Sequence, residues 1–155
     1  MTAHDRALAA AIEAGVRHRV VEYGEVRTLE EAARRRGIEV HRLLKTMVVR
    51  RGSDDFVLVL VPGDRNIDWA KLRTLLGVRR LSFAGDDEAF AATGYVHGAI
   101  TPLGAGPWPV IIDSSVPETG EVSLGGGERG VAIHLDARDL VRAIGGERAD
   151  VTKPA

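Results

Sequence analysis

With 155 residues, 45% of them hydrophobic and 28% charged, the chain has the make-up of one ordinary globular domain with a proper core. A formal net charge of −1 and an aromatic content of 5% count against a protein that wraps duplex nucleic acid or stacks several bases in a row, yet leave room for a local basic rim that meets one nucleic-acid end. The absence of cysteine excludes a disulfide scaffold, a thiolate nucleophile and cysteine-ligated zinc.

In chain order, Thr2 and Asp5 form a capping-box pattern, Leu8, Ala11 and Ile12 make an apolar helical stripe, and Gly15 stops it. His18–Tyr23 reads as a strand. Thr28-Leu29-Glu30-Glu31 repeats the capping signature and opens a helix through Ala32 and Ala33 to Gly37. A helical turn around Val40–Leu44 leads to a hairpin of Thr46–Arg50 and Phe56–Val61, turned at Gly52-Ser53-Asp54-Asp55. Asp68 caps a helix carrying Trp69, Leu72, Leu75 and Leu76 and ending at Gly77. Arg79–Phe83 is a short strand, and Asp86 begins a brief helix that ends near Gly94. Tyr95–Pro109 holds three glycines and three prolines, so backbone geometry shapes this loop more than packing does. Val110–Ile112, Glu121–Leu124 and Val131–Leu135 follow as strands, and Asp136 with Asp139 caps a last helix bearing Leu140, Val141 and Ile144. The irregular alternation, with a hairpin and no linker or repeat, predicts one mixed-sheet α/β domain over residues 1–155. No apolar run reaches the ~20 residues of a membrane helix, and Met1–Arg6 lacks the charged-then-apolar layout of a secretion signal. A cytoplasmic protein with no membrane partner is expected.

Lys45 is the only charge in Leu43-Leu44-Lys45-Thr46-Met47-Val48-Val49. An ammonium against apolar walls must find an acceptor or a ligand, or lower its pKa, and such lysines are frequent at catalytic sites. Alternatively it sits at a strand mouth and snorkels its amine to water. Gly125-Gly126-Gly127-Glu128-Arg129-Gly130 matches G-x-G-x-x-G formally, but strand-like Val131–Leu135 follows it where a dinucleotide site needs a helix. Two readings stay open: backbone amides approaching a ligand, with Arg129 available to oxygens, or a wide hairpin turn. His4, His18, His41, His97 and His134 include no i, i+4 helical metal pair, so neither metal nor cofactor is expected. Arg34-Arg35-Arg36, Arg50-Arg51 and Arg79-Arg80 are either solvated faces or a rim for a polyanion.

Taken together, Leu44–Val49, Thr93–Gly104 with its Gly98–Pro102 G-x-x-x-P pattern, Pro109–Asp113, Gly126–Gly130 and Leu135–Ala143 resemble, in order, the motifs of the YbaK family, related to the editing domain of bacterial prolyl-tRNA synthetases. The resemblance runs from about Val20 to Val151. It implies a mixed β-sheet curled into a barrel-like core with helices outside, and hydrolysis of the ester bond of mischarged aminoacyl-tRNA in trans. It also implies Lys45 as the essential catalytic side chain. Tyr23, Gly98, Thr101, Pro102, Gly104, Gly125, Gly126, Gly127 and Arg129 would bind substrate. The implied partners are the aminoacylated 3′ end of tRNA and a synthetase such as prolyl-tRNA synthetase. An activated ester needs positioning and charge stabilisation more than a strong nucleophile, so a missing Ser/His/Asp triad is no objection. Cysteine or alanine on tRNA(Pro) is the first substrate expectation. Members acting on cysteinyl-tRNA(Pro) commonly carry serine where this chain has Gly125 and an acidic residue where it has Ala132. Serine and threonine therefore stand as further substrates. A module that binds charged tRNA ends without catalysis is the reading from another class.

Overall fold

Helices begin where a short polar side chain can take up an amide that the helix leaves unpaired. The computed structural model describes residues Met1–Ala155. In α1 (Ala3–Glu13) the Thr2 hydroxyl accepts from the Asp5 amide while the Asp5 carboxylate accepts from the Thr2 amide, each at 3.0 Å. Thr28, Asp68 and Asp136 cap α2 (Leu29–Arg36), α3 (Trp69–Leu76) and α5 (Ala137–Ile144) by accepting from a first-turn amide, without the return bond, and α4 (Asp86–Thr93) starts after Gly85. Gly37, Gly77 and Gly94 close α2, α3 and α4 as expected from the sequence, and Gly145 closes α5.

The strands are β1 (His18–Glu22), β2 (Leu44–Gly52), β3 (Asp55–Pro62), β4 (Arg65–Ile67), β5 (Ser82–Phe83), β6 (Val110–Asp113), β7 (Glu121–Gly125), β8 (Val131–Asp136), β9 (Glu147–Ala149) and β10 (Thr152–Pro154). They form a five-stranded sheet ordered β5-β2-β3-β6-β9, a three-stranded sheet ordered β1-β8-β7, and the pair β10-β4. The β2–β3 pair is antiparallel with a register shift between Arg50 and Gly52, whereas β3–β6 and β6–β9 are parallel, so the large sheet is mixed. Strand β3 is buried on both faces. Phe56, Leu58 and Leu60 point into the main core, shared with Val122, Leu124, Ile133 and Leu135 of the small sheet. Val57, Val59 and Val61 point the other way, towards Ile67, Leu72 and Val151. That double burial explains why Phe56–Val61 is apolar throughout instead of alternating.

The expected barrel does not form, and the α/β mixed-sheet part of the expectation holds. The two larger sheets pack on a shared core but pair backbone to backbone through one isolated bridge, Leu43 to Ser123, where the strands run parallel. Further along, β2 pairs at Val49 and Arg50 with β5, so the edge that would have closed onto β7 is taken. Other differences are local. The expected strand Arg79–Phe83 shrinks to Ser82–Phe83, and the turn before Lys45 is a 3-10 turn over Val40–Arg42. Strands β4, β9 and β10 have no apolar alternation in the sequence and exist because pairing partners reach them. Leu60, wholly buried between the sheets, is expected to cost about 2–5 kcal/mol when replaced by alanine in equilibrium denaturant unfolding, with exposed Val20→Ala close to neutral.

Candidate active site

Lys45 enters the site as the second residue of β2, opposite Val61. Leu44 and Val48 turn into the main core, so Lys45 shares the other face of the strand with Met47 and Val49. The side chain is half-buried, and its ammonium donates to the Arg65 carbonyl at 2.6 Å and the Asn66 side-chain oxygen at 3.4 Å. Both acceptors are neutral. Burial pushes the Lys45 pKa below its ordinary value, partly opposed by the Asp64 carboxylate. The acceptor itself is well held: β4 pairs with β10, and the Arg65 guanidinium donates to the Thr152 hydroxyl at 2.6 Å and stands 3.9 Å from buried Asp113.

The two glycine segments meet backbone to backbone. Residues 125–130 join β7 to β8 and so form a hairpin turn, and their glycines also permit contact with the Gly98–Pro102 loop. A Cβ on Gly125 would lie 2.5 Å from the Ile100 carbonyl oxygen, which no side chain could tolerate unless the backbone shifted. The Gly127 amide donates to the Ala99 carbonyl at 3.0 Å, and Arg129 donates through Nε to the His97 carbonyl at 2.9 Å. At Gly98 a Cβ would meet only the Arg129 side chain, at an ordinary contact distance of 3.8 Å. Glycine is required there by φ of +87°, not by crowding. Gly126 and Gly127 are buried and Gly104 is exposed. Thr101 and Pro102 are buried, and the Thr101 hydroxyl accepts from the Leu103 amide at 3.4 Å, so that side chain serves the loop itself.

Tyr23 donates its amide to the Gly130 carbonyl at 2.8 Å, which ties β1 to the glycine hairpin. Its hydroxyl accepts from Arg36 at 2.9 Å, and the Arg36 guanidinium lies 4.5 Å from its ring centre. Arg36 is therefore no part of a solvated run: it is buried, and it also donates to the Ser123 hydroxyl at 3.1 Å, while Arg34 and Arg35 are exposed. Ser123 pairs across the strands with His134, whose Nδ1 is 3.3 Å from a Glu121 oxygen. The residue types are those of a hydrolase triad, but Ser123 and His134 are 0% and 1% exposed, which leaves an ester no access. This group works as a polar strut between α2 and the small sheet. Hydrogen bonds from Arg19 pull the Glu121 carboxyl down to about 2, whereas burial lowers the pKa of His134. A signal for Arg36 was present in the sequence, since Ala32, Ala33 and Arg36 share one face of α2.

The structure thus joins the glycine loops, Arg129 and the Tyr23 backbone. Lys45 approaches from the neighbouring strand: Leu43 and Ser123 form the parallel bridge, and Lys45 and Gly125 each lie two residues further on. No hydrogen bond links Lys45 to either loop. Nowhere do three or more histidine or acidic side chains converge as a metal site would need. A surface groove of 640 Å³ along β1 and β8 contains none of the candidate residues. It is an open trough with Arg19 and Glu121 paired across it, a poor place to desolvate a substrate.

The family of the aminoacyl-tRNA editing domain matches residues 24–143. A proline–tRNA ligase of Thermosipho melanesiensis is 32% identical over 101 residues, which are 65% of this chain and 18% of the ligase. An Enterococcus faecalis protein, EbsC, provisionally named a Cys-tRNA(Pro)/Cys-tRNA(Cys) deacylase, is 26% identical over 79% of this chain and 76% of its own length. A crystal structure described provisionally as a trans-editing enzyme for prolyl tRNA synthetase superposes with a TM-score of 0.89 at 28% identity, covering 99% of this chain and 98% of the other. The chain thus spans under a fifth of the ligase and nearly all of that solved structure.

Two titrations follow from these charges. The Lys45 side chain, followed by NMR of labelled lysine, should lose its proton below the ordinary value of 10.5, and Asp64→Asn should lower it further by removing the one charge that favours the ammonium. Glu121 has a folded-state pKa below its ordinary 4.5, so the stability it contributes is present above pH 4.5 and is lost as pH falls towards about 2. Glu121→Gln should flatten the acid limb of the stability curve over that window.

Proposed function

The chain belongs to the aminoacyl-tRNA editing domain family, and on that premise we propose that it hydrolyses the ester between a wrong amino acid and the 3′ end of tRNA. The observation that carries the reading is the Lys45 ammonium, half-buried, with no carboxylate bonded to it and held only by neutral oxygens. Such a group can exchange a carbonyl for an anion at little cost, because its desolvation is already met by the fold. Water, or a functional group of the substrate, adds to the ester carbonyl. Lys45 stabilises the developing oxyanion or holds the terminal phosphate, and the ribose oxygen leaves with the proton of the attacking group; tRNA is released together with the free amino acid when water attacks, or with its cyclised form when a substrate group does. The close-packed backbone of Gly98–Pro102 and Gly125–Gly127 forms the wall against the aminoacyl group, with Tyr23, Gly104 and Arg129 at its margin.

Small amino acids fit this wall best. The aligned position that carries serine in cysteine-specific members is Gly125, where a Cβ would strike Ile100, so this side of the pocket offers backbone alone. Cysteine and alanine on tRNA(Pro) are the first substrates we assign, then serine and threonine. Near-complete coverage of a trans-editing structure supports action in trans by residues 1–155 as one domain, with prolyl-tRNA synthetase as the enzyme whose errors are cleared.

A deacylation panel of alanyl-, cysteinyl-, seryl- and threonyl-tRNA(Pro) should show turnover of at least one substrate. Lys45→Ala should lower that rate by roughly 100-fold or more, the usual cost of a lost charge-stabilising donor, with the fold intact. Lys45→Arg should stay poor, since a planar guanidinium does not occupy the place of an ammonium. Near wild-type turnover by folded Lys45→Ala would sink the mechanism. Tight binding of charged tRNA without any turnover by the wild type would identify a non-catalytic binding module.

A further inference from the structure

The match to the editing-domain family begins at residue 24, so α1 lies wholly outside it. Yet α1 touches both glycine segments. His4 Nδ1 is 2.6 Å from the Gly126 carbonyl oxygen, and because a carbonyl only accepts, the imidazole must donate. Arg6 donates through Nε to the Gly104 carbonyl at 3.2 Å and through Nη2 to the Thr93 carbonyl at 3.0 Å. Its guanidinium also lies 4.4 Å from the ring centre of buried Tyr95, whose hydroxyl donates to the Leu103 carbonyl at 2.6 Å. Gly127 is pressed against the same helix: a Cβ there would lie 2.8 Å from the Ala3 carbonyl oxygen.

We infer that α1 is part of the site, with His4 and Arg6 acting as positioning residues that hold the two glycine loops at the separation the aminoacyl group requires. The inference rests on the deacylase reading. Side chains two residues apart on a helix point to different sides, so the helix takes one loop with each. Its attachment to the core is a separate matter, met by Ala7 and Ala11, both fully buried. His4 and Arg6 add nothing to that apolar contact and take no carboxylate partner; they spend their donors on carbonyls of, or next to, the loops. A guanidinium with bonds to Gly104 and Thr93 fixes the start and end of the Gly94–Gly104 segment at once, which a single-point ammonium cannot do.

The test compares His4→Ala, Arg6→Ala, His4→Asn and Arg6→Lys with Glu13→Ala, an exposed control on the same helix. Each is measured for kcat and KM on charged tRNA, for Tm, and for hydrogen exchange of the Gly127 amide, which reports the loop-to-loop bond. The two alanine variants should lose roughly ten- to a hundredfold in kcat/KM, the scale of a small misplacement, and should exchange Gly127 faster. His4→Asn should recover most of the loss because it retains an N–H donor, Arg6→Lys should not, and Glu13→Ala should match the wild type. Unchanged kcat/KM in both alanine variants of an active protein overturns the inference. So does a loss that follows the fall in Tm across all variants without rescue by asparagine. A wild type inactive on every charged tRNA refutes the deacylase reading instead; the exchange rates then still decide the grip, and an unchanged Gly127 rate in the alanine variants overturns it.

Discussion

A strand buried on both faces is the constraint on which the rest of this fold depends. β3 can hide its seven apolar positions only if one core forms on each side of it, and the two clusters of buried side chains do so. Its partners inherit the consequence. β6 is apolar over Val110–Ile112 and β2 over Met47–Val49, and Lys45 lies at the opening end of β2, where it pairs with Val61. The lysine therefore stands at the boundary between a core and the chain's turning segments. There it loses water without being sealed in, and a lowered pKa is the outcome.

Charge elsewhere in the molecule is arranged differently, and the contrast supports the choice of site. Arg19 with Glu121, Arg51 with Asp55 and Lys71 with Asp150 are partnered at 2.8 to 3.0 Å, with much of each side chain in solvent. Pairs of that kind contribute little and leave nothing for a substrate. Asp113 is buried but satisfied, its carboxylate accepting from Val151 and Ser115. Arg36 is buried and locked between Tyr23 and Ser123. Lys45 differs from the surface pairs in having no carboxylate bonded to it, and from Arg36 in being only half-buried.

Much of this was legible in the residues. Capping side chains and terminal glycines marked the helices, the apolar run Phe56–Val61 marked the central strand, and a lone charge in Leu43–Val49 marked the lysine. Those signals are local: each depends on neighbours within a few residues, where backbone preference and side-chain period act directly. The barrel expectation failed because closure depends on which edge β2 offers after Leu43, and the capture of that edge by the two residues of β5 has no sequence pattern. Strands β4, β9 and β10 went unseen for a like reason, being short, polar and paired by partners far along the chain.

Sequence alone thus determined the helices and the longer strands, the apolar surroundings of Lys45 and the presence of two glycine-rich loops in a recognisable order. Only the tertiary structure decided what those loops touch. The Ile100 carbonyl against Gly125, the Ala99 carbonyl on the Gly127 amide and the His4 ring on Gly126 join residues separated by 25, 28 and 122 positions. Likewise, one arginine of a run of three turned inward while its neighbours stayed in water. Contacts of that kind are set by how whole elements stack, and that is governed by the burial of surfaces contributed by the entire chain.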